Sequence, residues 1–155
     1  MNYLKLKSTV LCLLTLSTLP TWASCPDLAG TWEGMCDRDG TVKMEKLHVR
    51  QQSCEHINFY GMDYKIGRPY SEQYENKFEK TFNVHNLYWG ADRKSLYFNV
   101  DRVQWMKDRN QTSNAQGVGV LKVEGEQMDY LRVYSGRSRD GQYFKKSRKC
   151  SFTRI

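Results

Sequence analysis

The side chains able to do chemistry are few. Cysteines stand at 12, 25, 36, 54 and 150, and histidines at 48, 56 and 85. A structural zinc site made of four thiolates uses closely spaced pairs, typically C-x2-4-C knuckles. The last four cysteines are 11, 18 and 96 residues apart, so two disulfides are expected instead. Cys54-x-His56 imitates part of a metal site, but Cys54 is needed for a disulfide. His48 and His85 fall in strand-like runs with polar neighbours, and both read as solvated. No Ser occupies a Gly-x-Ser-x-Gly turn, and the chain has neither His-Glu-x-x-His nor a P-loop. Glu124 and Glu126 flank a turn and do not read as a catalytic carboxylate pair. The expectation is a protein without catalytic residues, metal or cofactor.

The cysteine count makes sense once the leader is set aside. Lys5 and Lys7 precede an apolar run over residues 8–19, too short to span a bilayer, and Thr21-Trp22-Ala23 supplies the small residues of a cleavage site. Residues 1–23 are therefore expected to be a cleaved signal peptide, with 24–155 as one domain. A lipoprotein anchored at Cys25 is the alternative, disfavoured by Trp22 where such signals carry Leu. Removing 23 of 155 residues leaves 132, takes away Cys12, and lowers the formal charge from +7 to +5, because two Lys and no acids are lost. Four cysteines in an exported chain, periplasmic or secreted, fit an oxidising compartment. That compartment also disfavours nucleic acid as a partner, despite the basic balance.

The elements that must position these residues read as strands. Aromatic residues make up 13% of the chain, including ten Tyr, which argues against disorder. Turn signals at 37–40, 90–93, 125–126 and 136–141 separate runs rich in β-branched and aromatic residues. The runs are 28–36, 41–51, 57–64, 78–89, 95–106, 118–124, 128–134 and 142–155. A short helical turn is conceivable only over 70–80. The pattern predicts an all-β fold, a single antiparallel up-and-down barrel of about eight strands stapled by disulfides.

The first run contains Gly30-Thr31-Trp32, close to the expected mature N-terminus, and Arg154 is the penultimate residue. This arrangement resembles lipocalins and the wider calycin group. The resemblance implies that Trp32 closes the barrel base and that Arg154 packs across its ring. If the first and last strands pair antiparallel, opposed residues share one index sum. Cys36 opposite Cys150 sets it at 186, and Trp32 with Arg154 and Gly34 with Phe152 give the same value. Cys25 would then bond Cys54. The first hairpin, with Cys36 opposite Thr41, places Cys54 opposite position 23 and leaves an offset of two. Cys25–Cys150 with Cys36–Cys54 remains the other connectivity.

Function is expected to lie in cavities and surfaces. Tyr60, Tyr88, Tyr97, Trp105 and Tyr130 are candidate pocket residues, with rings for area and hydroxyls for orientation. Asn99, Asp101 and Gln104 among them suggest a polar lining suited to a polar small molecule. Arg137, Arg139, Lys145, Lys146, Arg148 and Lys149 form a basic stretch able to meet an anionic envelope surface. The resemblance to lipocalins implies an exported small-ligand-binding barrel without catalytic activity. The alternative is a periplasmic inhibitor or protein–protein interaction module on the same scaffold. Bacterial inhibitors of the alkaline-protease type are similar, opening with Leu-x-Gly-x-Trp, here Leu28 to Trp32. In that family an N-terminal arm enters the enzyme's cleft; here only residues 24–27 precede the strand and Cys25 would tether them, which counts against such an arm. Lysozyme inhibitors share the architecture, but a +5 chain would be repelled by a basic target.

Overall fold

The computed structural model describes residues 25–108, 110–138 and 140–155. The expected signal peptide, with Cys12, lies outside the described residues, and so does Arg139. Ten strands form one antiparallel sheet: β1 (Gly30–Arg38), β2 (Thr41–Ser53), β3 (His56–Phe59), β4 (Met62–Lys65), β5 (Pro69–Glu75), β6 (Glu79–Trp89), β7 (Ser95–Met106), β8 (Gln111–Glu124), β9 (Gln127–Arg137) and β10 (Tyr143–Arg154). The expected count of eight is corrected at two places. The run 57–64 is broken by a tight turn at Tyr60 (φ 54°) and Gly61 (φ 79°), which makes β3 and β4 a hairpin. The stretch considered for a helical turn is largely β5, paired to β6 from Pro69–Asn86 to Glu75–Lys80.

The strand order is β4-β3-β2-β1-β10-β9-β8-β7-β6-β5. The first and last strands are therefore neighbours inside the sheet, and its two edges, β4 and β5, adjoin mid-sequence. The barrel is nearly closed. No strand pairing joins β4 to β5; aromatic rings fill the seam, with Tyr64 edge-on to Tyr70 at 5.2 Å and His85 behind both.

Pairing of β1 with β10 sets Trp32 opposite Arg154, Gly34 opposite Phe152 and Cys36 opposite Cys150. Disulfides join Cys36 to Cys150 and Cys25 to Cys54. The first hairpin is tighter than expected. Arg38 pairs with Thr41 across Asp39 (φ 52°) and Gly40 (φ 87°), the two positive φ values that an Asp-Gly turn of type I′ requires. This register shifts the strand by two residues and carries Cys54 to the level of Cys25, removing the offset.

Alternation along the strands separates an inner from an outer face. At the end marked by Trp32 the inner face is apolar: Leu28, Trp32, Leu47, Leu121, Met128 and Phe152 are all buried. Each such aliphatic or Phe side chain contributes about 1.5–3 kcal/mol on leaving water. The Trp32 indole N–H donates to the Leu28 carbonyl at 2.9 Å, so its polar atom is satisfied. Toward the other end the inner face becomes aromatic and then charged.

Candidate functional site

The charged end is built by the same alternation that builds the core. On β7, Arg102 follows Phe98 and Val100; on β9, Arg132 follows Met128 and Tyr130; on β10, Arg148 precedes Cys150 and Phe152. Each arginine thus points to the side on which its strand buries apolar residues. Pairing brings them to one level, with Arg132 directly opposite Arg148 and Arg102 opposite Ala115 and Asn83. Small residues leave room: an added side chain at Gly117 would meet the Tyr134 ring at 3.0 Å and the Arg132 Nε at 3.4 Å.

Arg102, Arg132 and Arg148 line a cavity of about 440 Å³ together with Arg38, Lys146, Asp39, Glu72, Asn83, His85 and Tyr134. An adjoining groove of about 600 Å³ shares Arg102 and Tyr134 and continues past Gln104, Ser113 and Arg137. Beneath lies an apolar void of only about 60 Å³, walled by residues including Phe59, Tyr64, Leu87, Phe98 and Tyr130. The barrel is therefore filled at its base and open at a polar mouth.

The acids of the mouth are committed to protein partners. Glu45 forms ion pairs with Arg38 at 3.0 Å and with Arg148. Glu72 accepts from Asn83 at 2.8 Å and faces the His85 Nε2 at 3.4 Å. Asp39 accepts from the Ser147 backbone N–H at 2.7 Å. Arg148 also lies over the rings of Tyr130 and Tyr60, at 5.3 and 5.6 Å, and Arg132 lies 5.2 Å from the Tyr134 ring. Burial raises the Tyr130 phenol above its ordinary range, opposed by Arg132 and Arg148. Burial also raises Tyr64, and the Glu72 charge adds to that shift. The Tyr64 hydroxyl meets the His85 Nδ1 at 3.4 Å, while the His85 Nε2 is buried without a hydrogen-bond partner, so His85 is a buried residue of the seam, not the solvated residue expected.

Only some of the sequence-derived candidates belong here. Tyr130 is buried on the inner face, and Tyr60, in the β3–β4 turn, shares the Arg148 guanidinium with it. Tyr88, Tyr97 and Trp105 are corrected to the outer face: Tyr88 stacks on Tyr97 at 5.6 Å, and Trp105 is 39% exposed. Asn99 and Asp101 share that outer side, whereas Gln104 faces the groove. The basic stretch is divided by the pleat. Lys146 and Arg148 line the cavity, Lys145 and Lys149 lie exposed on the other side, and Arg137 borders the groove. Arg102 and Arg132 were not among the sequence candidates. Their signal was their position in phase with buried residues.

Arg154 caps the opposite end, its guanidinium 4.6 Å from the Trp32 ring and its Nη2 donating to the Asp27 carbonyl at 2.7 Å. Among the described residues no three His, Cys, Asp or Glu side chains gather where they could hold a metal ion. No helix among them is long and apolar enough to cross a membrane. The chain matches no family model, and neither a curated protein nor a solved structure matches it.

Proposed function

We propose that this protein is an exported, lipocalin-like barrel that binds a small polar ligand at its mouth and does no catalysis. The observation that carries the reading is the division of the interior into a filled apolar base and an open, polar mouth of about 440 Å³. Ligand sites are concave, with a few convergent polar groups that fix orientation. The two disulfides are consistent with an oxidising compartment. Native mass spectrometry of protein purified from the organism that encodes it tests the reading. A co-purifying small molecule, lost on denaturation, is the expected result; a ligand-free mass that no metabolite extract shifts would overturn it.

The second reading, a protein–protein interaction module, is favoured by one observation. The outer face of β6 to β9 exposes Phe82, Tyr88, Val103, Val118 and Leu131. Exposed apolar surface marks contact sites when it is contiguous and large. A bound protein in place of a small molecule in the same spectrum would favour it.

A further inference from the structure

We infer that the mouth recognises a compact oxyanion group, such as a phosphate, sulfate or carboxylate, gripped by Arg102 and Arg132. The inference rests on the ligand-binding reading and names the chemistry of that site.

Its first support is unbalanced charge. Five cations and two acids line the cavity. Glu45, which adjoins them, is shared by Arg38 and Arg148, while Glu72 and Asp39 are engaged as described. No ion pair joins Arg102 or Arg132 to a carboxylate among the described residues, and the Nε of each is buried without a hydrogen-bond partner, as are those of the ion-paired Arg148 and Arg154. An unsatisfied buried donor costs about 1–3 kcal/mol, more when charged. The second support is the register. Arg132 directly opposes Arg148, and like charges in that relationship destabilise a sheet. A guanidinium offers a planar fork of donors that matches an oxyanion, so one bound anion would meet the two guanidinium groups where they border the cavity and screen the repulsion.

Size is limited from below. The void beneath the arginines measures about 60 Å³, room for a few carbon atoms at most, so a long acyl chain cannot extend into the base of the barrel, and the adjoining groove is polar. The oxyanion is therefore free or carried on a small polar molecule that occupies the wider groove.

Nuclear magnetic resonance of the arginine Nε–H groups tests this, by titrating inorganic phosphate, sulfate, acetate and dodecanoate against chloride at matched ionic strength. The Arg102 and Arg132 signals should shift saturably with at least one oxyanion and not with chloride. Arg102→Gln and Arg132→Gln should each weaken that binding by about tenfold or more, the loss of a charge-assisted hydrogen bond. Lys149→Gln, on the outer face, should leave it unchanged. Arg132→Gln should fold, because it removes the like-charge pair. Shifts that follow ionic strength alone, or variants that bind as the parent does, would overturn the inference. Dodecanoate binding far tighter than acetate would overturn the size limit. A neutral molecule co-purifying in the mouth would leave the binding reading standing and remove this one.

Discussion

Arg154 and Trp32 face each other across the first and last strands, with the guanidinium 4.6 Å from the indole centroid and further bonds to Asp27. The contact seals the base of the barrel, where Trp32 has no exposed surface. Trp32→Ala should cost about 3–5 kcal/mol, as large-to-small changes of buried aromatics do. Arg154→Ala should cost about 1–2 kcal/mol, and Arg154→Lys less. Urea midpoints for the three variants check the order.

The disulfides should differ in worth. Cys36–Cys150 closes a separation of 114 residues and Cys25–Cys54 one of 29. Chain-entropy arguments give about 4.8 kcal/mol for the first and about 3.6 for the second. Paired Cys→Ala variants, compared by denaturant unfolding, should show the larger loss for Cys36 and Cys150.

Two glycines should respond differently to the same methyl group. At Gly34 an added Cβ would lie 1.9 Å from the Ser151 carbonyl oxygen and 2.6 Å from the Phe152 Cα, both main-chain atoms. Gly34→Ala should therefore cost more than about 3 kcal/mol or prevent folding. Gly40 has open space around it, and only its φ of +87° resists a side chain. Gly40→Ala should cost about 1–2 kcal/mol. Thermal melts of both variants test the contrast.

Alkaline pH should destabilise the fold. Tyr60, Tyr64 and Tyr130 have folded-state values raised by burial above the ordinary 10.0. Their stabilising share is whole below pH 10, where both states keep the proton. Above it the unfolded chain ionises first, so stability falls as pH rises toward the folded values. Absorbance near 295 nm should show a late group of phenols ionising together with loss of structure. Early, independent titration of every tyrosine would contradict this.

The strand content and the pairing of the chain ends were legible because they rest on local patterns and on four cysteines. The Cys36–Cys150 register carries Trp32 to Arg154 by arithmetic alone. What alternation did not disclose was its sign. Leu131 and Val133 alternate as cleanly as Leu96 and Phe98, yet the first pair faces outward and the second inward. The candidate pocket was drawn from ring types, so it mixed Tyr130 with Tyr88, Tyr97 and Trp105 from the outer face. The arginines of the mouth were hidden for the opposite reason: a charge in a strand is usually solvated, and only the buried neighbours two residues away mark Arg102 and Arg132 as inward. The Tyr60–Gly61 turn was missed because Tyr rarely takes a positive φ.

The seam between β4 and β5 makes the chain divisible. A protease cutting between residues 66 and 68 would sever the backbone without breaking a strand pair. The two pieces would remain joined by Cys36–Cys150 and by the full pairing of β1 with β10. Such a nicked molecule would migrate as one species until reduced, then as two. Expressed separately, the two pieces would form a split pair that reassembles through the β1–β10 pairing and is locked by an oxidant at Cys36–Cys150.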